Sequence, residues 1–337
     1  MTRRGKVKRH LTILFTCIGR RVSLMRSFRR AAQGIGVRLR VLGTDASPLS
    51  PAMELCDGRF RVHPVKHPAY LSELLRIVRT NGVDLLVPTV DLDLKILARN
   101  RGRFEQLGCL VLVSKPEVIE VCQDKRRTAE LLAANGFSGP RTVGLAEALR
   151  QRRMTWPRFL KPWDGSASRG NAVVHNRREL EFFGPRIPNC IVQEFVRGTE
   201  YTCDVFVDFE GRVRCVVPRR RLEVRGGEVV KAQVVKDLRV MRQAAALVTV
   251  LGAGPGVITI QLIETAAGKI EFIEINPRFG GGAPLSIKAG ADFPKWILQQ
   301  LVGLKPRIRF DGFTDGLLML RYDDEVWVRN MGAIRRP

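Results

Sequence analysis

Two lysines, a loop of small residues and a set of oxygen-bearing side chains are the parts of this sequence best suited to chemistry. Lys125 stands in Gln-Asp-Lys-Arg at a helix start, and Lys161 in Phe-Leu-Lys-Pro at a strand end. A lysine closing an apolar strand must present its ammonium to something, and a phosphate is a natural target. A lysine that lays its stem on the surface and keeps its head in water is the competing reading. Just after Lys161, residues 164–171 read Asp-Gly-Ser-Ala-Ser-Arg-Gly-Asn. Gly165 and Gly170 let backbone N–H groups approach phosphate oxygens, while Ser166, Ser168 and Arg169 add donors. An ordinary hairpin turn has the same composition.

A second group follows in Gln193-Glu194-Phe195-Val196-Arg197-Gly198-Thr199-Glu200. A strand end, a turn and a second acid suit recognition of an adenine edge by Glu194 and the neighbouring backbone, with Glu200 taking ribose hydroxyls. A solvated hairpin fits equally well. Further on, Gln261 lies on one strand and Glu274-Ile275-Asn276-Pro277-Arg278 ends its partner. Their amide and carboxylate oxygens are hard ligands suited to Mg²⁺ held with nucleotide phosphates. Strand alternation puts Glu274 and Asn276 on one face, within reach of Gln261 across the hairpin. Arg278 offers a planar fork for a transferred phosphoryl group or an acyl phosphate. Gly280-Gly281-Gly282 after it implies close backbone approach. Arg219 and Arg221 alternate on a strand and are candidates for a carboxylate; a solvated basic strand is the alternative.

The elements that must position these groups fall into two halves. The apolar run Leu11–Ile18 predicts a buried strand, Val22–Ala32 an amphipathic helix and Arg38–Gly43 a second strand. Tyr70–Thr80 and Leu92–Arg103 predict helices, with strands at Val83–Pro88 and Cys109–Val113. Strands alternating with helices predict a parallel, doubly wound sheet. The first turn, Cys17-Ile18-Gly19-Arg20-Arg21, lacks G-x-G-x-x-G, so a dinucleotide site is weakly supported. Gly19-Arg20-Arg21 and Thr89-Val90-Asp91-Leu92-Asp93 lie at carboxyl strand ends, where open α/β sheets bind ligands.

After Ser114-Lys115-Pro116 two helices are expected, Glu117–Cys122 and Lys125–Asn135, and then short strands. These are Phe159–Lys161, Ala172–His175, Cys190–Phe195, Tyr201–Asp208 and Val213–Val217. A helix over Leu238–Val250 and a hairpin of Gly256–Ile263 with Ile270–Ile275 complete an α+β half.

Taken in order, Lys125, Lys161, the small-residue loop, Gln193-Glu194, Glu200, Gln261 and Glu274-x-Asn276-Pro277-Arg278 resemble the ATP-grasp superfamily. The resemblance is greatest to proteins like the carbamoyl-phosphate synthase large subunit, and it covers roughly residues 10–325. It implies a Rossmann-like pre-ATP-grasp domain over 1–115, a two-lobed ATP-grasp domain over 116–305 and a C-terminal strand segment over 306–337. The small lobe would span about 140–198. It also implies that Lys125, Lys161 and the 164–170 loop hold ATP phosphates and that Glu194 and the Val196 backbone take adenine. Gln261, Glu274 and Asn276 would bind Mg²⁺, with Mn²⁺ an alternative ion.

The implied chemistry is attack of a carboxylate on the γ-phosphate and capture of the acyl phosphate by an amine. Phosphorylation of bicarbonate or carbamate would use the same residues. Partners would then be a small carboxylate and an amine, with a homodimer as one assembly. The chain is about one ATP-grasp unit, and nothing in it resembles a glutaminase.

The charge agrees with an anionic ligand without specifying one. The 57 Lys+Arg outnumber 33 Asp+Glu, giving +24, and residues 1–40 contain twelve basic residues and no acid. A non-enzymatic nucleic-acid binder is the reading of another class, but no basic stripe interleaved with aromatics supports it. Seven cysteines without a C-x-x-C pair fit a reducing compartment and argue against structural zinc. His63 and His67 flank Pro64, which excludes a helical metal pair and predicts surface loop residues. Two segments imitate membrane signals: the basic start before Leu11–Ile18, and the charge-free Gln243–Ile263. The first has no cleavage site and the second contains Gly252, Gly254, Pro255 and Gly256, so a cytoplasmic protein without a membrane span is expected.

Overall fold

The computed structural model describes residues 9–165 and 170–329. Among these residues there are three sheets, the first of them parallel, in the order β3-β2-β1-β4-β5. Its strands are β1 (His10–Thr16), β2 (Arg38–Asp45), β3 (Gly58–Arg61), β4 (Leu85–Pro88) and β5 (Leu110–Val111). Helices α1 (Val22–Gly34), α2 (Pro51–Glu54), α3 (Tyr70–Asn81), α4 (Leu94–Arg99) and α5 (Arg101–Glu105) connect them. The segment expected as one helix over Leu92–Arg103 thus forms two short ones. Asn100 separates them: its side-chain amide donates to the Ile96 carbonyl at 2.9 Å, at a backbone ψ of 14°.

Alternation along β1 builds two cores at once. Ile13 and Phe15 face one side with α1, whereas Leu14 faces the other side with Tyr70, Leu74 and Ile77 of α3. A strand buried on both faces has no polar alternation to show, which is why it reads as an unbroken apolar run.

The helices α6 (Pro116–Gln123) and α7 (Lys125–Ala134) lead into an antiparallel sheet ordered β6-β9-β7-β8. It comprises β6 (Thr142–Gly144), β7 (Arg158–Pro162), β8 (Ala172–Val174) and β9 (Cys190–Glu194), with α8 (Leu145–Arg150) and α9 (Arg177–Phe183) packed on it. Its own core is Ala148, Leu160, Val174, Leu180 and Val192.

The third sheet is antiparallel, ordered β14-β13-β10-β11-β12-β15. Its strands are β10 (Thr199–Val207), β11 (Val213–Arg225), β12 (Glu228–Val234), β13 (Gly256–Glu264), β14 (Ile270–Asn276) and β15 (Leu318–Leu320). Helices α10 (Leu238–Leu251), α11 (Ala283–Lys288) and α12 (Phe293–Leu301) cover it. The 243–263 run divides as its glycines require: α10 stops at Gly252, at φ +65°, and β13 begins at Gly256. Among the described residues no helix is long and apolar enough to cross a membrane.

Phe15, Phe28 and Phe279 stack edge to face at 5.3 and 6.0 Å. This aromatic chain joins β1, α1 and the loop after β14 into one continuous core. It fixes the carboxyl edge of the parallel sheet against the end of β14.

Candidate active site

The site lies where β13 and β14 face the start of α7 and the end of β7. Gln261 of β13 is directly opposite Glu274 of β14, and directly opposed residues of an antiparallel pair share a face. Asn276, two residues on, shares it as well. Lys125 reaches this face from the first turn of α7. Its Nζ donates to the Gly165 carbonyl at 2.5 Å and lies 3.9 Å from Glu274 Oε1. Asp124 caps α7 by accepting from the Arg126 N–H at 2.9 Å, which sets where Lys125 begins its reach.

Lys161 comes from β7 and is only 4% exposed. Burial pushes its ammonium down to about 8; Glu274 opposes the shift and Lys125 adds to it. Glu274 thus lies beside Lys125 and acts electrostatically on Lys161, whose depressed value is what burial next to a second cation produces.

Unfolded Lys161 holds its proton to about 10.4, while the folded group releases it near 8. Stability gains from this group as pH rises from 8, because the unfolded state then binds more protons. Anion binding behaves oppositely, since it needs the ammonium. An anion that pairs with this ammonium is therefore expected to bind more weakly above pH 8 in a calorimetric titration. Lys161→Arg should remove that break, because a guanidinium keeps its charge.

Arg278 closes the other end. Its Nη1 donates to the Phe279 carbonyl at 3.0 Å, its Nη2 is 3.5 Å from Asn276 Oδ1, and it pairs with Asp91 from the first domain. Arg221 joins from β11, 3.4 Å from Glu200 and 3.3 Å from Gln261 Oε1, and burial lowers its pKa. Glu200 is thereby tied to the oxygen-ligand face by an arginine.

Other expected residues are placed differently. Arg219 does not reach the cleft. It is 1% exposed, and its guanidinium donates to Asp204 at 2.8 and 3.0 Å, while Nη1 is buried without a hydrogen-bond partner. A Cβ on Gly282 would lie 2.1 Å from that Nη1, so the glycine loop covers it. Alternation correctly gives Arg219 and Arg221 one face but says nothing of depth. Asp204 also accepts from Ser286 at 2.6 Å, and Thr259, 3.4 Å from it, donates to the Arg278 carbonyl at 2.9 Å. Asp204 went unmarked in the sequence, although a lone acid in an apolar strand was the available signal.

Gln193 is likewise turned inward, donating to Thr142 Oγ1 at 2.7 Å. Glu194 is exposed, 3.6 Å from Arg158; Phe195 is exposed and Val196 half-buried beside it. Gly198 crosses β13 so closely that a Cβ would sit 2.1 Å from the Glu264 carbonyl oxygen. Gly165 and Gly170 flank the small-residue loop; Ser166, Ser168 and Arg169 lie outside the described residues.

In the first domain, Asp91 faces the cleft but Asp93 does not. Asp93 is fully buried and accepts from the Tyr70 hydroxyl at 3.1 Å, and burial raises it to about 6. His67 is exposed, as a loop residue should be, but His63 is half-buried and bonds Glu73 at 2.7 Å. All seven cysteines are unpaired, and burial pushes their thiols up, to about 12 for Cys56, Cys109 and Cys215. Thiols held protonated are poor nucleophiles.

Among the described residues no three His, Cys, Asp or Glu side chains cluster as metal ligands. The oxygen face contains one carboxylate and two amides, a donor set that suits a hard cation sharing phosphate oxygens better than an all-protein cage.

Residues 13–112 match the family model described as PylC-like, N-terminal domain, and residues 186–317 the one described as ATP-grasp in the biosynthetic pathway with Ter operon. The carbamoyl phosphate synthase large chain of Gemmatimonas aurantiaca is 25% identical over 265 residues, 71% of this chain and 24% of that one. The chain thus spans about a quarter of the length of this relative. The biotin carboxylase domain of Hydrogenobacter thermophilus 2-oxoglutarate carboxylase superposes with a TM-score of 0.73 at 17% identity, covering 91% of this chain and 73% of that one. N5-carboxyaminoimidazole ribonucleotide synthetase, in an ADP complex, gives 0.70 at 16%, covering 95% and 83%. Together the two matched segments, the carbamoyl phosphate synthase relative and the shared fold support an ATP-grasp protein similar to the carbamoyl phosphate synthase large chain.

Proposed function

We propose that this protein uses ATP to activate a carboxylate as an acyl phosphate, which an amine then captures to form a C–N bond. The observation that carries the reading is Lys125 at 3.9 Å from Glu274, with Gln261 directly opposite, Arg278 beside Asn276 and buried Lys161 within electrostatic reach of the same carboxylate. Two largely buried cations near hard oxygen ligands have the chemistry to hold a triphosphate together with a divalent ion.

Lys125 and Lys161 would neutralise the β- and γ-phosphate oxygens. Gln261, Glu274 and Asn276 would hold Mg²⁺, which when bound offsets charge building up during phosphoryl transfer. Exposed Glu194 and the backbone at Val196 would meet the adenine, and Glu200 the ribose. Arg278 would orient the attacking carboxylate and stabilise the transferring group. A carboxylate oxygen attacks the γ-phosphorus, the bond to ADP breaks, and the amine nitrogen later displaces inorganic phosphate and loses a proton. Catalysis here is positioning and charge neutralisation, with no covalent protein intermediate. Buried, protonated thiols support that economy.

Phosphorylation of bicarbonate or carbamate is the second reading, favoured by the carbamoyl phosphate synthase relative. Unpaired, largely buried thiols support a cytoplasmic setting. The test is an ADP-release screen over amino acids and small acids in Mg²⁺. Release that requires one acid and one amine together supports the ligase. Absence of any ATP affinity in Mg²⁺ overturns both readings.

A further inference from the structure

Beside the proposed ATP site, four segments remote in sequence bring three guanidinium groups together. Arg21 precedes α1, Arg278 follows β14, and Arg321 follows β15. Glu228, at the start of β12, bridges two of them. One of its oxygens is 3.3 Å from Arg21 Nη1 and the other 3.2 Å from Arg321 Nη1. Arg321 Nη2 also donates to the Gly281 carbonyl at 2.6 Å. Arg278 is paired with Asp91.

The setting is half-open. The side chains of Arg21, Arg321 and Glu228 are 19%, 31% and 36% exposed. Burial, with Arg278 and Arg321 nearby, lowers the pKa of Arg21, and Glu228 opposes that. Three cations balanced by two acids keep an excess of positive charge in a partly desolvated place. Gly281 forms the floor: a Cβ there would meet Arg21 Nη1 at 2.8 Å and Glu228 Oε2 at 2.9 Å.

We infer that Glu228 is a placeholder and that the natural substrate acid is dianionic. Its reacting carboxylate lies by Arg278, and a second carboxylate or phosphate replaces Glu228 between Arg21 and Arg321. This deepens the ligase reading by naming the substrate class. Glu228 already displays the geometry such a group would take, one oxygen per guanidinium. Its side chain is at the open rim, so a change of rotamer alone can swing the carboxylate into solvent while its backbone stays paired with Arg225.

The test measures acid binding to the full-length, nucleotide-free protein by calorimetry, comparing succinate and glutarate with butyrate and valerate. 3-Phosphoglycerate provides a phosphate arm that tells a phosphoryl from a carboxyl group. At least one dianion should bind about tenfold more tightly than the monoanions. Arg21→Ala and Arg321→Ala should each abolish that preference. Glu228→Gln should tighten dianion binding several-fold, because the competing charge is gone. A salt bridge with only a structural role predicts no tightening in Glu228→Gln. Arg321 follows a short edge strand, so its variant serves if Arg21→Ala folds poorly. Equal binding of both classes, binding of neither, or a preference surviving both arginine variants overturns the inference. ADP binding is titrated separately: its absence would count against the ligase reading and leave the dianion result to stand by itself.

Discussion

Glu274→Ala is expected to lower turnover about 10³-fold while leaving the protein folded, the loss usual for removing a preorganised electrostatic group. Glu274 lies 3.9 Å from Lys125, raises the pKa of Lys161, and is the acid among the proposed oxygen ligands. Its side chain is 25% exposed, so its loss opens no cavity. Two further effects separate loss of an ion ligand from loss of a fold. Glu274→Gln keeps the shape and should still lose most of the rate. Higher Mg²⁺ should recover part of the activity of Glu274→Gln, since a weakened site is filled by mass action. Steady-state ADP release across a Mg²⁺ series, alongside thermal melts of each variant, reads both.

The largest stability effect belongs to Asp204. Asp204→Ala leaves Arg219 charged, 1% exposed and without its acceptor. Breaking one side of a buried pair costs about 3–5 kcal/mol. Ser286 loses its acceptor too. The double variant Asp204→Leu with Arg219→Met should recover much of the loss, because apolar side chains of similar size can replace a buried pair. Urea unfolding should show lower midpoints for Asp204→Ala at an unchanged slope. The network also meets the site, since Thr259 holds the Arg278 carbonyl. The double variant is therefore expected to fold well yet work less well, which would mark Asp204 and Arg219 as positioning residues.

How much of this was legible depends on the range over which each feature is encoded. β1, α1 and β4 were readable because burial of a whole strand or one helix face leaves a local pattern. The hairpin of β13 and β14 was readable for the same reason, and with it the Gln261, Glu274 and Asn276 face. β12 and β15 were not: both lie toward the edge of their sheet, and β15 has only three residues. The bend at Asn100 depends on a side chain returning to its own backbone, which periodicity does not register.

Among site residues, local alternation gave faces but not environments. It put Arg219 beside Arg221, yet only the third dimension shows Asp204 behind one and Glu200 before the other. Gln193 and Asp93 stand at strand ends as site residues should, but Thr142 and Tyr70 turn them inward. Arg321 and Glu228 meet across 93 positions of sequence, with no local signal. The charge of +24 is only partly accounted for: the cleft and its flank engage a handful of the 57 basic residues.

Whether the cleft makes an acyl phosphate is tested most directly by hydroxylamine trapping. The full-length protein is incubated with ATP, Mg²⁺ and a panel of mono- and dicarboxylic acids, with hydroxylamine as a general nucleophile in place of the amine. A hydroxamate of one acid is expected in equal amounts with ADP and inorganic phosphate, and none with Glu274→Ala. Hydroxamate formed with AMP and pyrophosphate, or ATP bound with no hydroxamate from any acid, would contradict that expectation.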